Sequence, residues 1–218
     1  MNNNNIGKIL RIIEKQSSKW TPPSVSTIAQ GPPSPFRVLI ATLLSLRTKD
    51  EVTMAASRRL FQEADTPETI LQLPKKQIEK LIYPVAFYRI KSVNILNICK
   101  DLIANHAGAV PKDLDSLMQF KGVGRKTANL VLILGYGIPA MCVDTHVHRI
   151  SNRLGYIKTR NPDESEHKLR QKLPLKYWMK YNDLLVTYGQ NQCKPVSPIC
   201  STCPLTKYCP KIGVTKHR

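Results

Sequence analysis

A lysine near the middle of the chain stands where its amine could act as a nucleophile. Lys126 belongs to the segment GVGRKTAN at positions 122–129, and an unbroken apolar run follows at positions 130–134. The glycines predict a tight turn, and the apolar run predicts a largely buried helix. Desolvation and the positive end of that helix both favour the neutral amine, which attacks aldehyde-like carbons to form a Schiff base. Alternatively, the lysine extends to water or contacts a phosphate.

The turn that precedes Lys126 could serve a second purpose. Gly122, Val123 and Gly124 predict a backbone that another molecule can approach closely. We expect the amides of this turn and of the helix start to point outward together, and such a cluster binds phosphate without reading a base. Arg125 would add positive charge. The alternative interpretation is an ordinary corner between two packed helices.

A carboxylate opens the next helix. Asp144 follows three apolar residues in the segment VDTHVHR at positions 143–149. Aspartate is a preferred N-cap, so one interpretation is purely structural. The other is a carboxylate held beside the amine for proton transfer or cation stabilisation, and both can hold at once. His146 and His148 are two residues apart and would face different sides of a helix, so we do not expect them to bind a metal together.

The C-terminal tail contains four closely spaced cysteines. Their spacing is C-x6-C-x2-C-x5-C, at Cys193, Cys200, Cys203 and Cys209, which predicts a shared metal. Tetrahedral zinc and a four-iron cluster both accept four thiolates, and the spacing does not decide between them. Cys99 and Cys142 lie in apolar helical contexts and are expected to be buried thiols.

The overall charge indicates a polyanionic partner. Lys and Arg number 33 against 15 Asp and Glu, giving a net charge of +18 within 218 residues. We expect nucleic acid first and an acidic membrane surface second. No apolar run reaches about 18 residues, and no signal peptide is recognisable at the N-terminus. These features favour a cytoplasmic protein, associated with the nucleoid in a prokaryote.

The pattern of apolar residues predicts an all-α fold. Positions 36–46 form a buried apolar segment, and TKDE at 48–51 predicts a capping box that opens a helix running to about Ala64. Further helices are expected to begin near Pro67, Pro74 and Pro111, and at 89–106, 112–118, 125–137, 145–155, 163–173 and 175–190. The loop 21–35 and the tail after Gln190 are the candidate domain boundaries.

Taken together, these segments resemble the endonuclease III family of DNA base-excision glycosylases, in the helix-hairpin-helix superfamily. GVGRKTAN, VDTH and the cysteine tail occur in that order, and the resemblance covers residue 6 to Cys209. It implies two helical domains with a DNA-binding cleft between them. One is a six-helix barrel at 28–138, with the hairpin at about 112–137, and the other comprises 1–27 and 139–218 around a [4Fe-4S] cluster. It also implies that Lys126 is the nucleophile, Asp144 the catalytic aspartate and the four tail cysteines the cluster ligands.

The resemblance implies a bifunctional DNA glycosylase and abasic-site lyase, acting as a monomer on damaged or abasic double-stranded DNA and removing oxidised pyrimidines such as thymine glycol. The lysine that matches Lys126 is lacking in the branch that removes adenine from mismatches. Two alternatives are a non-catalytic helix-hairpin-helix module with a structural metal and a monofunctional mismatch glycosylase.

Three positions depart from the family pattern, and a fourth completes the DNA-contacting set. Lys121 replaces the proline that usually precedes the hairpin, and Arg47 replaces the glutamine that fills the gap left by the flipped nucleotide. Lys194 is the only cation in the loop between the first two cysteines. Phe87 falls where the family places an apolar wedge. For Arg47 the alternative is a phosphate contact, and for Phe87 a core aromatic.

Overall fold

The computed structural model describes residues 3–31 and 33–218, and within these ranges the fold is all-helical without any strand. This confirms the predicted fold class. A π-helical segment, Val131–Gly135, continues α9, and a 3₁₀ turn, Leu175–Tyr177, precedes α12. The α-helices of the described residues are α1 Asn3–Ser17, α2 Ser24–Ala29, α3 Pro35–Ser45, α4 Asp50–Glu63, α5 Pro67–Gln72, α6 Lys75–Ile82, α7 Tyr88–His106, α8 Leu114–Gln119, α9 Arg125–Leu130, α10 Thr145–Arg153, α11 Pro162–Lys172 and α12 Trp178–Asn191.

The chain divides into two compact units. The continuous unit is Ser24–Ile138, and the discontinuous unit combines the chain up to Pro23 with Pro139–Arg218. The sequence placed the first boundary at residue 28, inside a predicted loop at 21–35. Part of that loop is instead α2, which packs on α3 and α4, and the Ser24 hydroxyl donates to Asp50 Oδ1 at 2.7 Å. Met1, Asn2 and Pro32, which the predicted domains include, lie outside the described residues.

The continuous unit is organised around α3. This helix is buried along most of its length, as the apolar segment at 36–46 predicts, and it contacts α2, α4, α7, α9 and the π-helical segment. Its start is capped by Ser34, whose side chain accepts from the Arg37 amide at 3.2 Å. An added Cβ on Gly135 would lie 3.0 Å from the Cα of Pro35, so a glycine there lets the π-helical segment approach the start of α3.

The discontinuous unit is held together by an apolar core. Helix α1 packs against α12, and α10 packs against both α11 and α12. Because α1 and α12 share one core, this unit joins segments that lie far apart in the sequence. The buried side chains of that core include Ile6, Ile9, Leu10, Ile13, Met141, Val147, Ile150, Leu154, Tyr156, Leu169, Tyr181, Leu185, Tyr188 and Leu205.

Several predicted helix boundaries are wrong. The capping box predicted at 48–51 is absent, because the Thr48 hydroxyl bonds the Ala86 amide and not the start of α4. The N-cap of α4 is Lys49, which makes no side-chain cap bond. The helix expected at Pro111 begins at Leu114, since Asp113 is the cap and accepts from the Ser116 amide at 2.8 Å. By contrast, Thr66 forms a capping box with Thr69, and Pro67 is at the first turn of α5 as predicted.

Two predicted helices are not uniformly α-helical. The apolar run after Lys126 predicts one helix over 125–137, but the α-helix ends at Leu130 and the turns then widen to the π form. The predicted helix 175–190 begins instead as a 3₁₀ turn. Apolar periodicity reports which side chains are buried and does not distinguish these hydrogen-bond patterns, so the sequence could not reveal them.

Candidate active site and cysteine cavity

A hairpin joins α8 to α9 and carries the predicted lysine. Gly122 has φ +91°, which requires glycine, and Gly124 is the N-cap of α9 without a side-chain cap bond. Val123 between them is buried and anchors the turn, and its amide donates to the Phe120 carbonyl at 3.0 Å. Nothing lies within 4 Å of a Cβ added to Gly124. The backbone at Gly124 is therefore open to close approach from outside.

Lys126 is the second residue of α9. It is half-buried, and the four residues that follow it are all buried. Lys121 lies exposed before the turn, and Arg125 is half-buried at the first position of the helix. Asn129 is buried and donates to the Arg125 carbonyl at 2.9 Å, which tightens the first turn. Lys126 is therefore followed directly by a buried and closely packed part of the helix.

Asp144 is the N-cap of α10, as one of its two sequence interpretations proposed. Its Oδ1 accepts from the amides of His146 at 2.8 Å and Val147 at 2.9 Å. The second carboxylate oxygen takes no part in this cap, and the residue is half-buried rather than enclosed. Cap geometry therefore fixes the carboxylate without using both of its oxygens.

Arg47 and Phe87 lie together, although 40 positions separate them in the sequence. Both are exposed, Phe87 by 54%, which rules out a core aromatic. The Arg47 guanidinium carbon lies 5.8 Å from the centre of the Phe87 ring, within the range of a cation–π contact. Both residues have left-handed backbones, with φ of 56° and 58°. Such values are uncommon outside glycine and indicate that surrounding contacts hold the two loops.

The four tail cysteines line one cavity of about 30 Å³. Burial raises the pKa of the Cys200 thiol, and the charge of Cys203 raises it further. Burial likewise raises the pKa of Cys209, with Cys193 and Cys203 among the charges that contribute. Thiolates that line one cavity would repel one another, so a bound cation would relieve the cost of ionising them. In the described part of the chain, no three His, Cys, Asp or Glu side chains converge as a metal ion would require.

Two arginines of α10 support the cysteine loop, and the sequence analysis did not identify them. Arg153 donates to the carbonyls of Lys194 and Pro195, each at 2.7 Å, and to Cys193 Sγ at 3.4 Å. Arg149 donates to the Cys193 carbonyl at 2.8 Å. Their spacing of four residues, beginning at the last residue of VDTHVHR, was the available signal, because it places both on one face of the helix.

The remaining cysteines and Lys194 have simpler surroundings. Cys99 and Cys142 are buried, as predicted, and burial raises the pKa of Cys99 to about 12. Lys194 is half-buried in the loop between the first two cysteines, where Val196 is 85% exposed. The loop therefore presents both a cation and an apolar side chain.

Within the described residues, no helix is both long and apolar enough to cross a membrane.

Comparison with known proteins defines the class. Residues 40–175 match the family described as HhH-GPD superfamily base excision DNA repair protein. Endonuclease III of Thermotoga maritima is 46% identical over 175 residues, which cover 80% of this chain and 82% of the relative.

Two solved structures agree with this match. A non-covalent endonuclease III–DNA complex superposes with a TM-score of 0.85 at 33% identity, covering 97% of this chain and 96% of that chain. A trapped endonuclease III–DNA covalent intermediate gives a TM-score of 0.77 at 38% identity, with coverage of 82% and 84%. The chain therefore belongs to the endonuclease III family, and it is a base-excision DNA glycosylase with abasic-site lyase activity.

Proposed function

We propose that Lys126 is the single nucleophile for both steps of the reaction. Its Nζ attacks C1′ of the damaged nucleotide, the glycosidic bond breaks, and the base departs with a proton. The sugar ring opens to an iminium joined to Lys126. The iminium acidifies the C2′ hydrogen, and loss of that proton expels the 3′ phosphate and nicks the strand. Water then hydrolyses the imine and returns the free amine.

One observation carries this assignment. Lys126 is half-buried at the start of α9, directly after a turn whose backbone is open at Gly124. An amine at that position can reach a nucleotide whose phosphate rests on the turn, while the buried residues behind it fix its direction. Asp144 is proposed to assist departure of the base or activation of the amine, which its cap-held carboxylate supports.

The hairpin is proposed to hold the DNA backbone. Gly122, Val123 and Gly124 supply a turn without a side-chain cap, and Lys121 and Arg125 add charge to either side of it. Backbone amides and cations bind phosphate without reading sequence, as a repair enzyme that scans DNA requires. Lys194 is proposed as a further phosphate contact, and the net charge of +18 supports association with DNA in the nucleoid.

Arg47 and Phe87 are proposed to occupy the duplex where the damaged nucleotide leaves it. Extrusion leaves a gap and an orphaned partner base, and unstacking costs a few kcal/mol unless a side chain enters. Both side chains are exposed and lie against each other. An aromatic ring can separate the stack, and a guanidinium can bond the orphaned base. We propose oxidised pyrimidines such as thymine glycol as the bases removed, on the resemblance to the family.

The four tail cysteines are proposed to hold a [4Fe-4S] cluster. They line a common cavity, and Arg153 and Tyr188 already contact the sulfurs of Cys193 and Cys203. Sulfur contacts of this kind adjust the electronic properties of a bound cluster. When bound, the cluster would cross-link the tail by four thiolate bonds. The protein's own residues supply the scaffold, because Arg153 fixes the loop at Lys194 and Pro195.

Borohydride trapping tests the nucleophile. Reduction of the protein mixed with thymine glycol duplex should give a covalent adduct, because borohydride reduces the iminium to a stable amine. Lys126→Gln should abolish both the adduct and strand nicking. Lys121→Gln is the matched control, since it removes the same charge five residues earlier on an exposed side chain.

Three outcomes are informative. Trapping lost in Lys126→Gln and kept in Lys121→Gln supports the assignment. Undiminished trapping in Lys126→Gln refutes it, and loss in Lys121→Gln alone would move the reactive amine to the turn.

A further inference from the structure

A buried lysine joins the two loops that carry Arg47 and Phe87. Lys91 lies in the first turn of α7, and only 7% of it is exposed. Lysine is rarely buried to this extent without a charged partner. Its amine instead donates to three neutral oxygens: the Leu44 carbonyl at 2.9 Å, the Leu46 carbonyl at 2.7 Å and the Thr48 hydroxyl at 3.4 Å. Burial lowers the pKa of Lys91 to about 8, and the three acceptor oxygens match the three N–H donors of the ammonium form.

These oxygens explain why a cation is placed there. Leu44 and Leu46 are at the C-terminus of α3, where the last carbonyls have no partner within the helix and carry the negative end of its dipole. The ammonium satisfies two of these carbonyls at once. It also bonds the residues on both sides of Arg47, namely Leu46 and Thr48. The left-handed backbone of Arg47 is therefore held from both flanks.

The same lysine is tied to the other loop through its own helix. Phe87 is the N-cap of α7, and its carbonyl accepts from the Lys91 amide at 3.0 Å. The Thr48 hydroxyl adds a second link, because it accepts from the Ala86 amide at 3.2 Å. Lys91 and Thr48 thus form one polar joint beneath the exposed pair of Arg47 and Phe87.

We propose that Lys91 is a positioning residue for base extrusion: it holds Arg47 and Phe87 as one preformed unit for entry into the duplex. This inference rests on the proposed roles of those two residues in the gap. Lys91 does not touch DNA, since its amine is enclosed by protein oxygens. Its contribution is to hold the two strained loops in one fixed arrangement. The entropy cost of ordering these loops then does not oppose extrusion.

The test separates base extrusion from the chemistry that follows it. Single-turnover rates are measured for Lys91→Met on thymine glycol duplex and on preformed abasic duplex, where little extrusion is needed. Methionine is unbranched and fills a similar space without charge. We expect base removal to slow about tenfold, equivalent to about 1.4 kcal/mol at the barrier, with abasic nicking nearly unchanged. Lys100→Met is the control, because it removes the same charge from an exposed position of α7.

A spectroscopic measurement accompanies the rates. A 2-aminopurine placed opposite the lesion reports unstacking of the orphaned base, and its fluorescence rise on binding should be smaller for Lys91→Met than for Lys100→Met. Equal losses on both duplexes would show a general effect on folding or affinity and would overturn the proposal. A loss no greater than that of Lys100→Met would overturn it as well.

Two further sets of variants keep the outcome decisive. If Lys91→Met fails to fold, Thr48→Val removes the shared hydroxyl while keeping the ammonium on α3, and it should show the same substrate-dependent loss. A loss of rate for Thr48→Val that is equal on both duplexes would then refute the positioning role of the joint. Arg47→Ala and Phe87→Ala test the gap assignment itself. If these two variants slow base removal selectively and Lys91→Met and Thr48→Val do not, the gap assignment stands and the positioning role of Lys91 is wrong. If neither does, the gap assignment is wrong and the positioning role is overturned with it.

Discussion

Replacing Asp144 by asparagine separates the two roles that its position at the start of α10 allows. The cap uses only Oδ1, which accepts from two backbone amides. An asparagine side-chain oxygen can accept the same bonds, and asparagine is as good an N-cap as aspartate. It cannot take up a proton or carry negative charge. Asp144→Asn should therefore keep the helix start and lose the carboxylate chemistry, whereas Asp144→Ala should lose both.

The expected magnitudes differ enough to be measured. Loss of the cap in Asp144→Ala should cost about 1 kcal/mol of the free energy of unfolding. For a chain of this size that corresponds to a Tm lower by about 2–4 °C. Asp144→Asn should lose only the interaction of the charge with the helix end, about 0.3–1 kcal/mol. Both variants should remove the base about 10² to 10⁴ times more slowly, since that is the usual contribution of general acid–base groups.

Thermal unfolding and single-turnover base removal, measured on the same preparations, give the answer. The result that refutes a catalytic carboxylate is an Asp144→Asn protein whose rate stays within about threefold of the unchanged protein, while Asp144→Ala loses stability and rate together. In that case Asp144 is a helix cap alone.

The remaining predictions concern the hairpin and the tail. Gly122→Ala should cost about 1–2 kcal/mol of the free energy of unfolding, because alanine is disfavoured at φ +91°. Gly124→Ala should cost at most about 1 kcal/mol, since the added Cβ meets nothing, yet should weaken binding of undamaged duplex about tenfold if phosphate rests on that backbone. Unchanged affinity of Gly124→Ala for the duplex would show that the phosphate does not rest on that backbone. The purified protein should be brown and contain about four irons, and Cys200→Ser should lose that colour and weaken DNA binding more than chemistry. Colourless protein with one zinc per chain, from anaerobic as well as aerobic preparations, would refute the cluster.

Local patterns made much of this protein predictable. The glycine turn before α9, the aspartate cap of α10 and the buried helix α3 each follow from a few adjacent residues, because turns, caps and apolar periodicity are short-range properties. The all-α class follows from the same patterns. The roles of Lys126, Asp144 and the tail cysteines remain predictions, supported by their spacing and by the family.

Tertiary contacts account for the errors and the omissions. Thr48 has the sequence of a helix cap, but its hydroxyl bonds Ala86 and Lys91, which lie about 40 residues away. Nothing near Lys91 in the sequence indicates that α3 ends against its amine. The loops that carry Arg47 and Phe87 are linked by the same hydrogen bonds. Short-range reasoning could name these two residues separately and could not show that they form one unit.

The discontinuous unit has a consequence for biosynthesis. Helix α1 leaves the ribosome before α12, on which its apolar face packs and which begins about 160 residues later. At typical translation rates this interval lasts roughly 10 to 30 seconds. The Ser24–Ile138 unit, which is continuous, can fold during that time. Ile6, Ile9 and Ile13 meanwhile lack their final neighbours, so the nascent chain exposes an apolar segment that is prone to aggregation until α12 is synthesised.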